Sequence, residues 1–374
     1  MRIVSVVTLF TPDGAYGGPT RVALNHARSL RAAGHDVVLA GAAQGYDGSL
    51  PDEVDGVGVR LFPAWRALPG IGFAGLASPG LLGWLRRAVP DADVVHVHLA
   101  RDLVTLPATT VARRAGVPYV VQTHGMIDPS GRALVRPLDA LWTRPALDGA
   151  AAVLHLTARE RDNLRSVAGH DLPFVELANG VPPAPTQSDG SSREVLYLAR
   201  LAPRKRPTYF VRAAQRLALE FPDATFALVG PDEGEGPAVR LLLADDDADG
   251  RIHWEGALPL DATASRLAHA AVYVLPSVDE PFPMSVIEAM SAGVPVVVTD
   301  TCGLAGRIRR SGAGTVVDDT LDGLVAGIRA LLAAPASARD AGRAGVKLCC
   351  EELSIDAVTT ALERTYKQAA AARS

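Results

Sequence analysis

Two acids and two bases in the C-terminal half of the chain have the types and spacing to hold a phosphate and a polyhydroxyl ligand together. Glu280 and Glu288 stand eight positions apart in EPFPMSVIEAMSAGVPVVV, residues 280 to 298. Pro281 and Pro283 push their predecessors toward extended backbone, so Glu280 belongs to a loop, while Pro283 suits the start of a helix. From Met284 the pattern turns helical, with Ile287, Met290 and Ser291 on one face, and Gly293 supplies the stop. Glu288 then lies about one turn inside the helix. Backbone N–H groups near Met284 and Ser285 can hold an anion, and the carboxylates beside them can only accept hydrogen bonds. The bases lie in EVLYLARLAPRKRP, residues 194 to 207, an apolar strand that runs into a basic turn. Arg200 at the strand exit offers a planar fork to two phosphate oxygens, and Lys205 a compact charge to the same group. Only three of the 37 basic residues are lysines, so a lysine kept in an arginine-rich turn points to a place where an ammonium is wanted.

The elements that must position these residues alternate regularly. Strand-like runs at 2–10, 36–41, 57–62, 93–98, 117–123, 151–156 and 173–177 are separated by helix-like segments near 18–33, 102–115, 132–148 and 158–168. A polar Pro- and Ser-rich connector, residues 182–192, precedes a second set. Its strands fall near 194–199, 224–230, 251–255, 272–276, 294–299 and 315–318. Its helices fall near 206–220, 237–245, 260–270, 284–292, 320–333 and 338–350, with a last helix at 355–371. Such alternation predicts an α/β chain of two doubly wound domains with parallel sheets, residues 1–181 and 193–353, and ligand sites at the strand exits.

The segment from Glu280 to Glu288 resembles the signature of family 4 retaining glycosyltransferases, in which two glutamates are separated by seven residues. The resemblance implies the GT-B fold, two Rossmann-like domains facing across a cleft, with residues 354–374 crossing back to the first. It also implies transfer of a sugar from a nucleotide diphosphate, UDP- or GDP-linked, to an acceptor hydroxyl, and a cytoplasmic enzyme of polysaccharide or glycoside synthesis. In that family the first glutamate contacts the donor sugar and the second the ribose, which carries over to Glu280 and Glu288. An arginine and a lysine at the spacing of Arg200 and Lys205 neutralise the leaving diphosphate. Retention is explained by same-face attack, the departing phosphate oxygen taking the acceptor proton, which accounts for the lack of an obvious nucleophile. Phe282, Pro283, Met284 and Ser285 fall within the donor-binding signature, and Pro231 and the stretch Trp254 to Gly256, with Glu255, near the base. This chain departs from the family pattern at Ala199 and Arg206-Pro207, where glycines are frequent, and at TCGLAGRI after Asp300, which lacks the Gly-Gly and downstream glutamate common in relatives.

The N-terminal half adds a glycine-rich turn, Gly14, Gly17 and Gly18, after the first strand. It is not a GxGxxG fingerprint, but paired glycines at a helix start let backbone approach a phosphate. In the resembled family this loop lies against the donor diphosphate. His124 ends the strand VPYVVQT, and the family has a histidine there that reaches the donor sugar near the reacting carbon. His98 and Asp128 are the acceptor-side candidates. His96 and His98 share one face of DVVHVHLA and with His124 mimic a three-histidine zinc site. Such doublets also follow from the two-residue strand period, and no spacing fixes a third ligand. The D-x-D strings at Asp91–Asp93 and within 245–249 sit before a strand and in an acidic run, so no metal and no cofactor is expected.

A net charge of −4 and a pI near 6.1 exclude an electrostatic footprint for nucleic acid. Three cysteines, two of them adjacent, imply no disulfide framework. MRIVSVVTLF reads as a buried first strand. The uncharged stretch from Ala67 to Leu85 holds five glycines and two prolines, against a spanning helix. It reads as an apolar loop and short helix, either in ordinary local packing or, with Trp65 and Trp84 as amphipathic ends, in peripheral membrane contact through 65–87. Two other classes stay open on sequence: a sugar-nucleotide 2-epimerase of the same architecture, and a non-catalytic sugar-nucleotide binding module.

Overall fold

The computed structural model describes the chain except residues 13–16, 68–71, 133–134, 245–249, 260–261 and 373–374, and the side chains of residues 17, 72 and 73. Gly14 and the acidic run 245–249 therefore lie outside the described residues. The chain forms two compact units, Met1–Gly180 with Ile355–Ser374, and Val181–Ser354.

In the first unit the strands are β1 (Arg2–Phe10), β2 (Asp36–Ala43), β3 (Glu53–Val54), β4 (Val57–Pro63), β5 (Trp65–Arg66), β6 (Leu76–Ala77), β7 (Val94–His98), β8 (Tyr119–Gln122), β9 (Ala152–His155) and β10 (Phe174–Glu176). Its main sheet has the order β10-β9-β8-β7-β1-β2-β4-β3. All its pairings are parallel except β3 with β4. The strands read as near-continuous apolar runs because helices cover both faces. Those helices are α1 (Gly17–Ala32), α2 (Pro79–Ala88), α3 (Thr105–Arg114), α4 (Val135–Leu138), α5 (Arg144–Asp148) and α6 (Ala158–Ala168). The chain winds outward in both directions from β1 and β7, so the switch point lies between them.

Two sequence expectations change here. The helix at 132–148 is interrupted by a π-helical turn, Asp139–Thr143, where buried Asp139 accepts two hydrogen bonds from Arg101 at 2.7 and 2.9 Å. Trp84 is not an exposed end: its ring packs on Phe62 with centroids 5.9 Å apart, because α2 turns that face onto the core. Trp65 is 68% exposed. No single helix among the described residues is long and apolar enough to cross a membrane.

The second unit carries β11 (Glu194–Leu198), β12 (Thr225–Val229), β13 (Ile252–Trp254), β14 (Val272–Leu275), β15 (Val296–Thr299) and β16 (Gly314–Val317), in the order β13-β12-β11-β14-β15-β16 and parallel throughout. Around it pack α7 (Pro207–Glu220), α8 (Gly236–Ala244), α9 (Thr263–Ala268), α10 (Met284–Ser291), α11 (Ala305–Ser311), α12 (Leu321–Ala333) and α13 (Pro335–Leu348). The short, arginine-rich α11 had no clear sequence signal. Residues 182–192 read as a connector, but part of the segment is tied to the end of α10. The Ala184 N–H donates to Ser291 Oγ (3.1 Å), Gln187 Nε2 to the Ser291 carbonyl (2.9 Å) and the Ser188 N–H to the Ala292 carbonyl (2.7 Å).

The last helix, α14 (Ile355–Ala371), belongs to the first unit. It meets α1 through Thr359 with Ser29, and His35 on the turn after α1 pairs with Glu363 at 2.8 Å. Its Tyr366 hydroxyl lies 2.6 Å from His96 Nδ1.

The core of the second unit centres on α7, whose Phe210 is fully buried. Phe210→Ala should cost about 3–5 kcal/mol, whereas Leu219→Ala on the exposed face of the same helix should stay within about 0.5 kcal/mol. Denaturant unfolding followed by hydrogen exchange in β11 and β12 checks both.

Candidate active site

In the second unit the chain winds outward from β11 and β14, so the switch point of the sheet falls between their C-terminal ends, the place where open α/β sheets bind ligands. Arg200 and Lys205 follow β11, and Glu280 follows β14. The topology brings residues 75 positions apart into contact: Lys205 Nζ lies 2.6 Å from Glu280 Oε2, and Arg204 lies 3.5 Å from the same oxygen. The Val278 N–H also donates to the Arg204 carbonyl (3.1 Å), fastening one loop to the other. Both charged side chains are nearly buried, at 13% and 10% exposure.

The backbone around this pair is held in unusual conformations. Among the described non-glycine residues only Asp55, His124, Arg206 and Asp279 have positive φ, and two of these adjoin Lys205 and Glu280. Such geometry costs on the order of 1–3 kcal/mol per residue and persists where the surroundings fix it. The loop after β15 does that work: Thr301 accepts from the Asp279 N–H (3.1 Å) and the Gly303 N–H donates to the Glu280 carbonyl (2.8 Å). The loop TCGLAGRI thus positions Glu280. Cys302 in that loop is buried, which pushes its thiol up to about 12 and removes it as a nucleophile.

Burial pulls the Lys205 pKa below the ordinary lysine value, Glu280 opposes that shift, and Arg204 and Arg200 add to it. Arg200 is half exposed and holds Glu233 at 2.7 and 2.8 Å. Gly230 lets this loop pass: it has φ +146°, and a Cβ there would lie 2.0 Å from the Ala199 carbonyl oxygen. Pro231 is exposed after β12, its carbonyl accepting from the Leu201 N–H, and Trp254 Nε1 donates to the Gly230 carbonyl. The Glu255 side chain is engaged by Arg266 at 2.7 and 3.1 Å.

Helix α10 begins at Met284 with Pro283 at its N-cap and no side-chain cap. Phe282 and Pro283 are buried, with the Arg307 guanidinium 5.9 Å from the Phe282 ring centre, whereas Met284, Ser285 and Glu288 are partly exposed. Ser285 Oγ sits 2.7 Å from the Tyr273 hydroxyl, which donates to the Leu198 carbonyl at the end of β11.

In the first unit His124 has φ +52° and Gly125 φ +71°. Sequence reading missed the residue that fixes this turn. Buried Glu160, in the first turn of α6, accepts from the Thr123 hydroxyl, the Gly125 N–H (2.7 Å) and the Leu156 N–H (2.7 Å). The Thr157–Glu160 spacing of a helix N-cap was the available signal. His124 Nε2 lies 2.8 Å from His98 Nδ1, and burial lowers the His124 pKa to about 3, so the ring is neutral at pH 7. His98, expected on the acceptor side, is instead buried at 1% exposure against His26, His96 and His124, because it points from β7 into the space under α1. Asp128 is exposed and accepts from Asn163 at 2.8 Å. Gly17 and Gly18 open α1, and a Cβ at Gly18 would meet nothing within 4 Å.

Residues 183–348 match the family "Glycosyl transferases group 1", and residues 17–180 match "Glycosyl transferase 4-like domain". The chain belongs to the group 1 glycosyltransferases, of family 4 type. This glycosyltransferase is 29% identical over 287 residues to a D-inositol 3-phosphate glycosyltransferase of Frankia alni, covering 67% of this chain and 70% of that protein. It is also 29% identical to a glycogen synthase of Mycobacterium tuberculosis, covering 98% of this chain and 94% of that one. Its fold is that of the Anabaena HepE protein, solved in complex with UDP, with a TM-score of 0.78 at 16% identity over 98% of this chain and 100% of that one. The architecture is GT-B, with a parallel sheet in each half.

The depressed Lys205 pKa carries a signed prediction. Burying the charged ammonium opposes folding at neutral pH, and that cost lifts as pH rises through the folded pKa. A nucleotide diphosphate drawn to this cation should bind more weakly over the same interval, below the value of about 10.4 at which an ordinary lysine titrates. Calorimetric titration of nucleotide diphosphate against pH should show this limb move lower in Glu280→Gln and disappear in Lys205→Arg.

Proposed function

We propose that this glycosyltransferase moves a hexosyl group from a UDP- or GDP-linked donor to an acceptor hydroxyl with retention of configuration and without a metal ion at the diphosphate. The Lys205–Glu280 contact at the switch point of the second sheet carries this reading. One partner can turn to phosphate oxygens and the other to sugar hydroxyls, each already held by the other. As the bond from the anomeric carbon to phosphate breaks, negative charge grows on the leaving diphosphate. Lys205 and Arg200 neutralise it, and the first backbone N–H groups of α10 add their dipoles. The acceptor oxygen bonds to the anomeric carbon on the same face, and its proton passes to the departing phosphate oxygen. Glu280 takes hydroxyls of the sugar, and Glu288 takes the ribose.

His124, neutral and in a turn clamped by Glu160, is assigned to the donor sugar as a hydrogen-bonding group, and Gly17 and Gly18 to close backbone approach. Burial of His98 leaves Asp128 as the acceptor-side carboxylate. The base would be met by backbone near Pro231 and Gly256. Surface glycans and natural-product glycosides are the acceptor classes that suit the relatives, and exposed Trp65 marks the part of 65–87 suited to a membrane surface.

Arg200→Ala and Lys205→Ala should each lower turnover by about two to three orders of magnitude in folded protein. Near-native turnover in either variant would overturn the diphosphate assignment. Consumption of nucleotide-sugar should depend on an added hydroxyl compound, whereas an epimerase would act without one and a binding module would not act at all. A thermal-shift panel of UDP, GDP, ADP and their sugars selects the donor.

A further inference from the structure

The first unit buries three neighbouring histidine side chains that the transfer chemistry does not use. His26 on α1 and His96 and His98 on β7 are at most 2% exposed. The His96 and His98 rings stack with centroids 4.4 Å apart, and His26 lies 6.1 Å from each. Both nitrogens of His26, with Nε2 of His96 and Nε2 of His98, have no hydrogen-bond partner. Buried polar atoms without partners are rare and costly, and an ion or water is the usual remedy.

The outer nitrogens of the two strand histidines are already engaged. His96 Nδ1 lies 2.6 Å from the Tyr366 hydroxyl, and His98 Nδ1 lies 2.8 Å from His124 Nε2. In the tautomer that donates Nδ1–H outward, each Nε2 presents a lone pair inward, the arrangement in which a second shell fixes metal-binding imidazoles. One ring nitrogen from each of His26, His96 and His98 lies within 4.8 Å of the others. Some point is then within about 2.8 Å of all three, against about 2.0–2.1 Å for Zn–N, so side-chain shifts of less than about 1 Å close the set. The Gln122 side chain acts on His96 as a hydrogen-bonding neighbour, which places an amide oxygen beside the set for a fourth position.

We propose that His26, His96 and His98 form a binding site for a divalent transition metal of the zinc type, which ties α1 to β7 within the first unit. Three neutral imidazoles are the donor set that zinc accepts, and hard cations such as magnesium are poorly served by it. Burial lowers all three pKa values, that of His26 to about 4, which keeps the rings in the ligating form at neutral pH. No sequence spacing fixed a third partner for His96 and His98; the structure puts His26 there and gives His124 the outer role. The proposed transfer uses Arg200 and Lys205 of the second unit for the diphosphate, so the ion is structural to the first unit and does not enter that step.

Tag-free full-length protein, stripped by chelator and reloaded with Zn²⁺, should retain about one ion per chain through gel filtration and gain thermal stability. Co²⁺ in its place should give the intense visible absorption of a tetrahedral site. His26→Gln and His98→Gln, shown folded by circular dichroism, should lose both signals. Retention of less than about one ion per ten chains by the wild type, or full retention by the folded variants, overturns the site. Where the variants fail to fold, zinc-edge X-ray absorption of the wild type decides: three imidazole shells support it, and a thiolate- or carboxylate-dominated shell refutes it.

Discussion

A lysine ammonium and a glutamate carboxylate, removed together from most of the solvent, set the geometry of the loops at the switch point of the second sheet. Either charge buried alone would cost several kcal/mol. Their contact joins the loop after β11 to the loop after β14, and a backbone hydrogen bond from Val278 to Arg204 runs beside it. The pair is weak evidence of stability, since desolvation offsets much of the attraction. Its value lies in position: two groups of opposite chemistry wait at one switch point, already stripped of water and aimed. The positive φ of Arg206 and Asp279 on either side shows that the surrounding contacts hold the loops in a conformation they would not adopt in isolation.

The two units handle charge differently. The second places Arg200, Arg204 and Lys205 near the end of one strand, balanced by Glu233 and Glu280. The first gathers histidines whose burial keeps them neutral. Growing negative charge on a leaving group suits the former, and orientation of neutral hydroxyls suits the latter. His124 is held in place in several ways: a left-handed backbone, a ring bonded to His98 and a turn clamped by two hydrogen bonds to Glu160.

Much of the fold was legible because parallel strands buried on both faces leave long apolar runs such as RIVSVVTLF and VVVT, and glycines and prolines punctuate them. The segment from Pro283 to Gly293 behaved locally as read, since a proline start and a glycine stop act through the backbone alone. Legibility failed where tertiary contacts decided. Asp139 bends its helix because Arg101 comes from another loop. Trp84 turns inward because α2 packs its face on Phe62, and α11 is too short and too basic to show a period.

The residues that could do chemistry, the strands that carry them and the two-fold βα architecture were all determined by the sequence, because residue type, backbone preference and apolar period are local properties. Tertiary structure alone decided the partners. It matched Lys205 with Glu280 and Arg200 with Glu233, made Glu160 the clamp of the His124 turn, and brought His26 rather than His124 to the inner nitrogens of His96 and His98. Those pairings depend on which strands lie side by side and on how water is excluded between them, and neither distance along the chain nor residue type encodes that.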